Sequence, residues 1–388
     1  MTDVEAVIAR SAQSRQDIAR RRGWIASAVS VAITVVWVVG VTVAGQWGRV
    51  GEQWAAAVTM IFGSFVAGST PQGGGAVAFP VFTKVLDIPT EVARSFSLLI
   101  QTVGMGAASL SIIVRRRQVA TSSLWVLIPA ALVGFVVSTL LLTDGSDQFR
   151  AALVPGPYVK VGFTVVVAAM AVVVFLTYRQ QIILRRSSVP APSARVVVAL
   201  GLGGLAGGFA SALVGSGADV ATYIVVVVVL GANPRIGVPT SVLVMTAVSI
   251  LGFVWLGVAE GQLFASASAG SGTDLAGLWL AAVPVVAWGA PLGSLVASRV
   301  TDRQLVAFVM LLAAIEVIST IVFLEELRTD VALVIFGVVA LVATVVGLAW
   351  VQRRRNAVLG LDGIDPEESF VRSTLDVGNK FRDELEAK

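Results

Sequence analysis

WAAAVTMIFGSFVAGSTPQGGGAVAFPVFTKVL, running from Trp54 to Leu86, is a pair of apolar segments joined by Thr70-Pro71-Gln72-Gly73-Gly74-Gly75. A second stretch, VVVALGLGGLAGGFASALVGSGADVATYIVVVVVL from Val196 to Leu230, has the same form, with Gly215-Ser216-Gly217-Ala218-Asp219 at its break. Proline lacks a backbone donor and glycine is costly inside a helix, so both stretches predict two short helices around unwound backbone. In lipid, such backbone is tolerated only where protein or a watery cavity surrounds it.

The flanking sequence says that lipid is indeed the solvent. Apolar runs of roughly 20 residues, the length that crosses a hydrocarbon core about 30 Å thick, fall at Trp24 to Gly45, Ala93 to Val114, Ser123 to Thr143 and Tyr158 to Tyr178. They return at Val238 to Val258, Leu278 to Ser298, Gln304 to Leu324 and Val331 to Val351. Of the 388 residues, 56% are hydrophobic and 13% charged, about half the charged share of an ordinary soluble domain. The alternating segments of about 10 residues that mark a β-barrel are missing, so the expected class is an all-α polytopic membrane protein. Arg20, Arg21 and Arg22 precede an apolar segment too long for a signal-peptide core, which is read as a retained helix.

The two broken stretches are copies of each other. Gly73 and Gly217 stand 144 residues apart and Pro89 and Pro234 stand 145 apart, which leaves one inserted residue between them. Arg94-Ser95-Phe96-Ser97 follows the first copy and Pro239-Thr240-Ser241 the second. Cytoplasmic loops collect Lys and Arg. Arg20 to Arg22 therefore put the N-terminus inside, and Arg115, Arg116, Arg117, Arg179, Arg185, Arg186, Arg235, Arg299, Arg303 and Arg353 to Arg355 then also fall inside. Outer loops keep Arg49, Arg150 and Arg328 beside Asp144, Asp147, Glu260, Asp274, Glu325 and Glu326.

On this count the first hairpin enters from outside and the second from inside. The expected architecture is two inverted-topology repeats, each a broken or re-entrant helical hairpin plus three transmembrane helices, with one extra helix at each end. Its divisions are a basic cytoplasmic N-terminus (1–23), an extra transmembrane helix (24–53), repeat A (54–186), repeat B (187–327), a C-terminal transmembrane helix (328–351) and a cytoplasmic tail (352–388). A cell inner membrane with both termini cytoplasmic is the expected location.

Paired Gly/Pro-broken segments at matching places in two halves point to a transporter binding site. The second arm of each hairpin begins at or after the glycines, so its free N–H groups and positive dipole end face the membrane interior and suit a small anion. Gly73, Gly74, Gly75, Gly215, Ser216 and Gly217 are candidate binding positions; close helix packing through small residues is the other reading. Thr70, Gln72, Ser95, Ser97, Thr240 and Ser241 offer neutral donors to an oxyanion, or else bond back to helix carbonyls. Asp219 is an acid in an apolar run, at a cost of about 2.5 to 3.5 kcal/mol on insertion scales. It either carries a coupling proton or caps a helix starting at Val220.

Lys84, Arg94 and Arg235 either draw an anion into a vestibule or snorkel to the interface. Glu316 either pairs with an Arg or lines a cavity. Trp24, Trp47, Trp54 and Trp125 suit interfacial anchors.

At the glycine segments the chain resembles the TauE/SafE family of sulfite and organosulfonate exporters. The resemblance rests on Gly73-Gly74-Gly75 with Pro80 and Pro89, on Gly215, Gly217, Pro234, Thr240 and Ser241, and on Gly289-Ala290-Pro291-Leu292-Gly293. It extends from about Trp54 to Leu324. Asp219 departs from it, standing where the family often has glycine. The resemblance implies a secondary transporter that exports a small sulfur oxyanion or organosulfonate, such as sulfite, by alternating access; proton coupling is the further option that Asp219 itself offers.

The alternative is an anion channel, or a transporter of another small solute with Asp219 binding a coupling cation. No G-x-x-x-x-G-K-[ST] motif occurs, so a gradient must supply the energy. With 0 Cys and 0 His, thiolate and imidazole metal sites and haem ligation by His are excluded, and no cofactor is expected. An enzyme built on Asp219 and Glu316 finds no further chemistry to support it. The expected partners are a small anionic substrate and the lipid bilayer, with no nucleic acid; a homodimer is compatible with this reading.

Overall fold

The computed structural model describes residues 3–142, 155–184, 193–259, 261, 263 and 273–358. Every element described is a helix. In order they are α1 (Asp3–Val43), α2 (Trp47–Glu52), α3 (Trp54–Ser69), α4 (Gly75–Pro80), α5 (Thr90–Val114), α6 (Thr121–Leu142) and α7 (Gly156–Leu184). The second half holds α8 (Ala194–Val214), α9 (Ala218–Tyr223), α10 (Pro234–Gly252), α11 (Leu275–Ala297), α12 (Asp302–Phe323), α13 (Glu326–Thr329) and α14 (Val331–Val358). Three α-helices run on as π-helix: α4 over Val81–Val85, α9 over Ile224–Val229 and α10 over Phe253–Ala259.

Among the described residues, 8 helices are long and apolar enough to cross a membrane, so the protein is an all-α, multi-pass membrane protein. Three elements overrun their expected limits, one of them α7, which continues past Tyr178 to Leu184. α1 begins at Asp3 instead of Trp24 because neither Gly nor Pro interrupts residues 3–22. α14 passes straight through Arg353 to Arg355 and ends at Val358. Asp144, Asp147, Arg150, Arg185, Arg186, Glu260 and the tail from 359 to 388 lie outside the described residues.

Both broken stretches are helical hairpins, α3–α4 and α8–α9, and their return arms share a backbone pattern. Leu86 N–H donates to Val81 O (2.9 Å) and Ile88 N–H to Phe82 O (2.8 Å); 144 residues on, Leu230 donates to Val225 O (2.9 Å) and Ala232 to Val226 O (3.0 Å). A left-handed residue sits inside each turn, Asp87 (φ 53°) in one and Gly231 (φ 73°) in the other.

The packing pairs each hairpin with a helix of the other half. α3 lies along α11, α8 along α6, and α5 against α10. Glycines permit these contacts. A Cβ on Gly68 would overlap the Ala290 carbonyl and one on Gly293 the Phe65 carbonyl, while Gly208 meets Ala131 O and Gly134 meets Leu205 O in the same way. Backbones touch where lipid provides no hydrophobic drive and close van der Waals packing must hold the helices. Gly68→Ala is expected to cost about 1–3 kcal/mol through overpacking, read as a lower thermal midpoint of the detergent-solubilised protein; an unchanged midpoint would mean that α3 and α11 are not seated at this depth.

Each hairpin also has its own apolar cluster. Phe79, Phe82 and Phe96 belong to the first, and Tyr223, Val226 and Val242 to the second. α1 packs on α11 and α5, and α14 on α7, as outer additions to this arrangement.

The loop charges segregate. Arg49 pairs with Asp274 through Nε (2.7 Å) and a second bond from its terminal nitrogen, and Asp274 also caps α11 by accepting from Gly277 N–H (2.9 Å). Burial, then the nearby Arg115 and Arg299, lower the Arg117 guanidinium from its ordinary value, which places these three cations together. Trp24, Trp47, Trp54 and Trp125 are all exposed on the outer surface, as anchors would be.

Candidate functional site

At the first tip α3 stops at Ser69 and Thr70 turns extended (φ −130°, ψ 160°). The Thr70 hydroxyl donates to Val66 O (3.0 Å) and accepts from Gln72 N–H (3.3 Å), so it shapes the turn. Gly73 then takes φ +67°, a left-handed conformation that only glycine adopts without strain. Gly74, with no side chain to cap with, stands at the N-cap, and Gly75 opens α4. Gly74 is a packing glycine, since a Cβ there would sit 3.3 Å from both Gly63 O and the Ala67 methyl.

At the second tip Gly215 (φ 77°) ends α8 and Gly217 (φ 147°) precedes α9. The first donors of α9 are already engaged: Ala218 N–H donates to Ser211 Oγ (2.9 Å), while Gly217 N–H (3.1 Å) and Val220 N–H (2.9 Å) both donate to Asp219 Oδ1. Asp219 therefore lies inside the first turn of a helix that starts at Ala218, two residues earlier than the sequence suggests. It still does a capping group's work. Ser216 Oγ approaches both of its carboxylate oxygens at 3.4 Å.

The two tips touch. A Cβ built on Gly73 would overlap Asp219 Oδ2 and come within 3.1 Å of Ser216 Oγ. Asp219 is fully buried, and its carboxylate stands between the first turn of α9 and Gly73 of the first tip. Here a side-chain anion holds the position that bare amides would offer to a free one.

α5 adds a polar face to the second tip. Ser97 Oγ (3.0 Å) and Gln101 Nε2 (2.7 Å) both donate to Gly215 O, and Arg94 Nη1 donates to Ala212 O (3.0 Å) near the C-terminal end of α8. Gln101 Oε1 is buried with no hydrogen-bond partner. Arg94 is 5% exposed and Lys84 is buried in an ion pair with Glu316, so neither snorkels; Arg235 is exposed. Glu316 both forms that pair and borders a cavity.

Other expected residues are used elsewhere. Thr240 Oγ1 donates to Ile236 O (2.6 Å) and accepts from Ala120 N–H (2.9 Å), which braces the start of α6. Ser241 bonds back to Val238 O (2.9 Å). Gln72 Nε2 turns to Val309 O of α12 (3.4 Å), and Ser95 is buried without a described bond to either tip. Gln101 was missed in the sequence although Arg94, Ser97 and Gln101 recur at i, i+3 and i+7, one face of a helix.

A cavity of about 610 Å³ reaches the second tip at Ser216, Gly217 and Val220, with α7 side chains from Tyr158 to Val166 and Phe336 of α14 on its other walls. Ser216, at the tip, and Tyr158 are the polar side chains of an otherwise apolar lining.

Neither the curated proteins nor the solved structures include a match to this chain. The model of the sulfite exporter TauE/SafE family matches residues 55–319, from the start of the first hairpin through α12. Because that match takes in both hairpins, the helices packed on them and the greater part of the chain, the protein belongs to the TauE/SafE sulfite exporter family.

Proposed function

We propose that this protein is a secondary transporter that exports sulfite or an organosulfonate, binding the anion where the two hairpin tips meet. The observation that carries this reading is the contact of Gly73 with Asp219 and Ser216. The start of α9 and the glycine turn that precedes α4 meet at one buried point, and that point already accommodates a carboxylate. In a family of sulfite exporters, a position that suits one oxyanion is a natural seat for another. Asp219 then acts as a resident anion that gives up the amides of Gly217 and Val220 when substrate arrives. The reaction is transport alone, with no enzymatic step.

Alternating access fits a pair of inverted repeats, in which each hairpin gates one side. The constant shift of 144 in the return-arm bonds supports a repeat, and the features that support its inversion are the exchange of partners between α3–α11 and α8–α6, the pairing of Arg49 with Asp274, and the grouping of Arg115, Arg117 and Arg299. The same grouping supports an inner-membrane orientation with both termini cytoplasmic.

The test is flux of labelled sulfite, sulfate, thiosulfate and taurine in proteoliposomes at two imposed proton gradients. A gradient-coupled exporter accumulates sulfite against its own gradient. A channel only follows that gradient, and this outcome would remove the transporter reading. Asp219→Asn is expected to lower the apparent KM for sulfite by roughly tenfold, because two like charges 4 Å apart repel by about 4 kcal/mol at an effective dielectric of 20, before relaxation. An unchanged KM would argue that Asp219 does not share the substrate position.

A further inference from the structure

The mechanism above leaves a second buried charge cluster unused, 1% exposed at both of its ionised side chains. Lys84, on the π-helical return arm of the first hairpin, donates to Glu316 Oε1 (2.9 Å), Thr320 Oγ1 (2.7 Å) and Ser319 Oγ (3.2 Å), which uses all three of its protons. Glu316 Oε1 also accepts from Thr164 Oγ1 of α7 (2.7 Å). The other carboxylate oxygen, Oε2, is buried and has no hydrogen-bond partner. Glu316 borders a cavity of about 1180 Å³ walled by α3, α4, α11 and α12, in which Glu316 and Ser319 are polar among mainly apolar neighbours.

We propose that Glu316 is the proton-binding site of this transporter and that Lys84 is the movable counter-charge that links proton occupancy to the first hairpin. This rests on the reading of the protein as a gradient-driven exporter. The uneven use of the two oxygens is what points to it. A proton from water on one side can bond to Oε2, where no donor has to be displaced first, and it leaves from the same oxygen to water on the other side. No electron moves, and Lys84 keeps its own proton.

Protonation changes the balance around Lys84. Its ammonium becomes an uncompensated charge among hydroxyls and apolar side chains, and a buried charge of that kind is costly. Among the described residues, the elements packed around the pair offer no second carboxylate to replace Glu316. On α7, Lys160 stands one turn before Thr164, whose hydroxyl lies 3.1 Å from its carbonyl oxygen, and carries a charge of the same sign as Lys84. Lys84 is therefore driven out of the pocket once Glu316 is neutral. Because it is carried on the arm that leads from the Gly73 tip, its departure shifts the hairpin between two positions, as coupling between two sites requires.

Two measurements on the full-length protein test this. Infrared difference spectra recorded against pH are expected to show the carbonyl stretch of a protonated buried carboxyl in the wild type, to lose it in Glu316→Gln and to keep it in Asp219→Asn. In proteoliposomes, the ratio of pH-gradient-driven sulfite uptake to sulfite counterflow is expected to fall at least about tenfold in Glu316→Gln, within the usual range of coupling energies. Should that variant fail to fold, the Lys84→Met/Glu316→Gln double variant, which has no lone charge, is read in the same way.

A band that survives in Glu316→Gln, or an undiminished flux ratio in the variant that folds, overturns the proposal. A wild type that shows the Glu316-dependent band but moves no sulfite supports the proton site and defeats the substrate assignment instead.

Discussion

Gly73→Ala is expected to reduce sulfite transport at least tenfold while leaving the protein folded in the membrane. Two effects add. The residue holds φ +67°, where an L side chain costs about 1–2 kcal/mol, and the new Cβ would overlap Asp219 Oδ2. The tips must then separate or the carboxylate must abandon Gly217 and Val220, and either change dismantles the proposed seat. A loss of 1.36 kcal/mol in transition-state stabilisation is already about tenfold in rate.

The cause can be separated by a double-variant cycle. Asp219→Gly removes the group that the Cβ would strike, so Gly73→Ala is expected to do less harm in that background, with a coupling on the order of 0.5–3 kcal/mol as residues in contact show. Flux and folded fraction, measured for all four proteins, decide it. Equal losses with and without Asp219 would mean that the tips do not meet during transport, and the substrate position proposed here would fail with them.

The breaks in the hairpins were legible because they are local. Pro71 and the glycines around it decide backbone conformation wherever they stand, and α3 and α8 end within a residue of the expected places. The repeat was legible for the same reason: identical turns recur from similar short segments. What those turns face was not. Thr240 reads as a donor to substrate or as a bond back to its own helix, and only the folded chain shows its proton on Ile236 O and its oxygen accepting from Ala120, 120 residues away. Asp219 could be read as proton carrier or cap, and it takes the fold to show that its carboxylate accepts from Gly217 and Val220 N–H and lies against Gly73 of the opposite tip.

Gln101 was a missed signal, a single amide in an apolar run that looks incidental until its i, i+3, i+7 register with Ser97 and Arg94 is counted. The pairing of Lys84 with Glu316 had no signal to miss. Their side chains are 232 residues apart, and each on its own looks like a charge seeking the interface. Long-range polar partners inside a bilayer are chosen by helix packing, which the periodicity of one helix does not report.

That pairing leads to the largest expected effect on stability. Lys84→Met is expected to lower the free energy of unfolding by about 3–5 kcal/mol, the range for removing one partner of a buried ion pair. The loss comes mainly from what is left behind: at 1% exposure Glu316 must either hold an unpaired charge or take up a proton, with only the Thr164 and Thr320 hydroxyls near Oε1. Removing both charges is a different matter. Lys84→Met/Glu316→Leu replaces the pair with apolar groups, and such replacements are often neutral or stabilising, so the double variant is expected to regain most of the wild-type midpoint in denaturant unfolding. It should also be inert to the pH gradient, since nothing remains to bind the proton. A protein kept for stability alone would have little reason to retain this pair in place of apolar packing, and a double variant that is both stable and uncoupled would locate the value of Lys84 and Glu316 in transport. If the double variant is as unstable as Lys84→Met, the pair is instead a fixed structural brace between the first hairpin and α12.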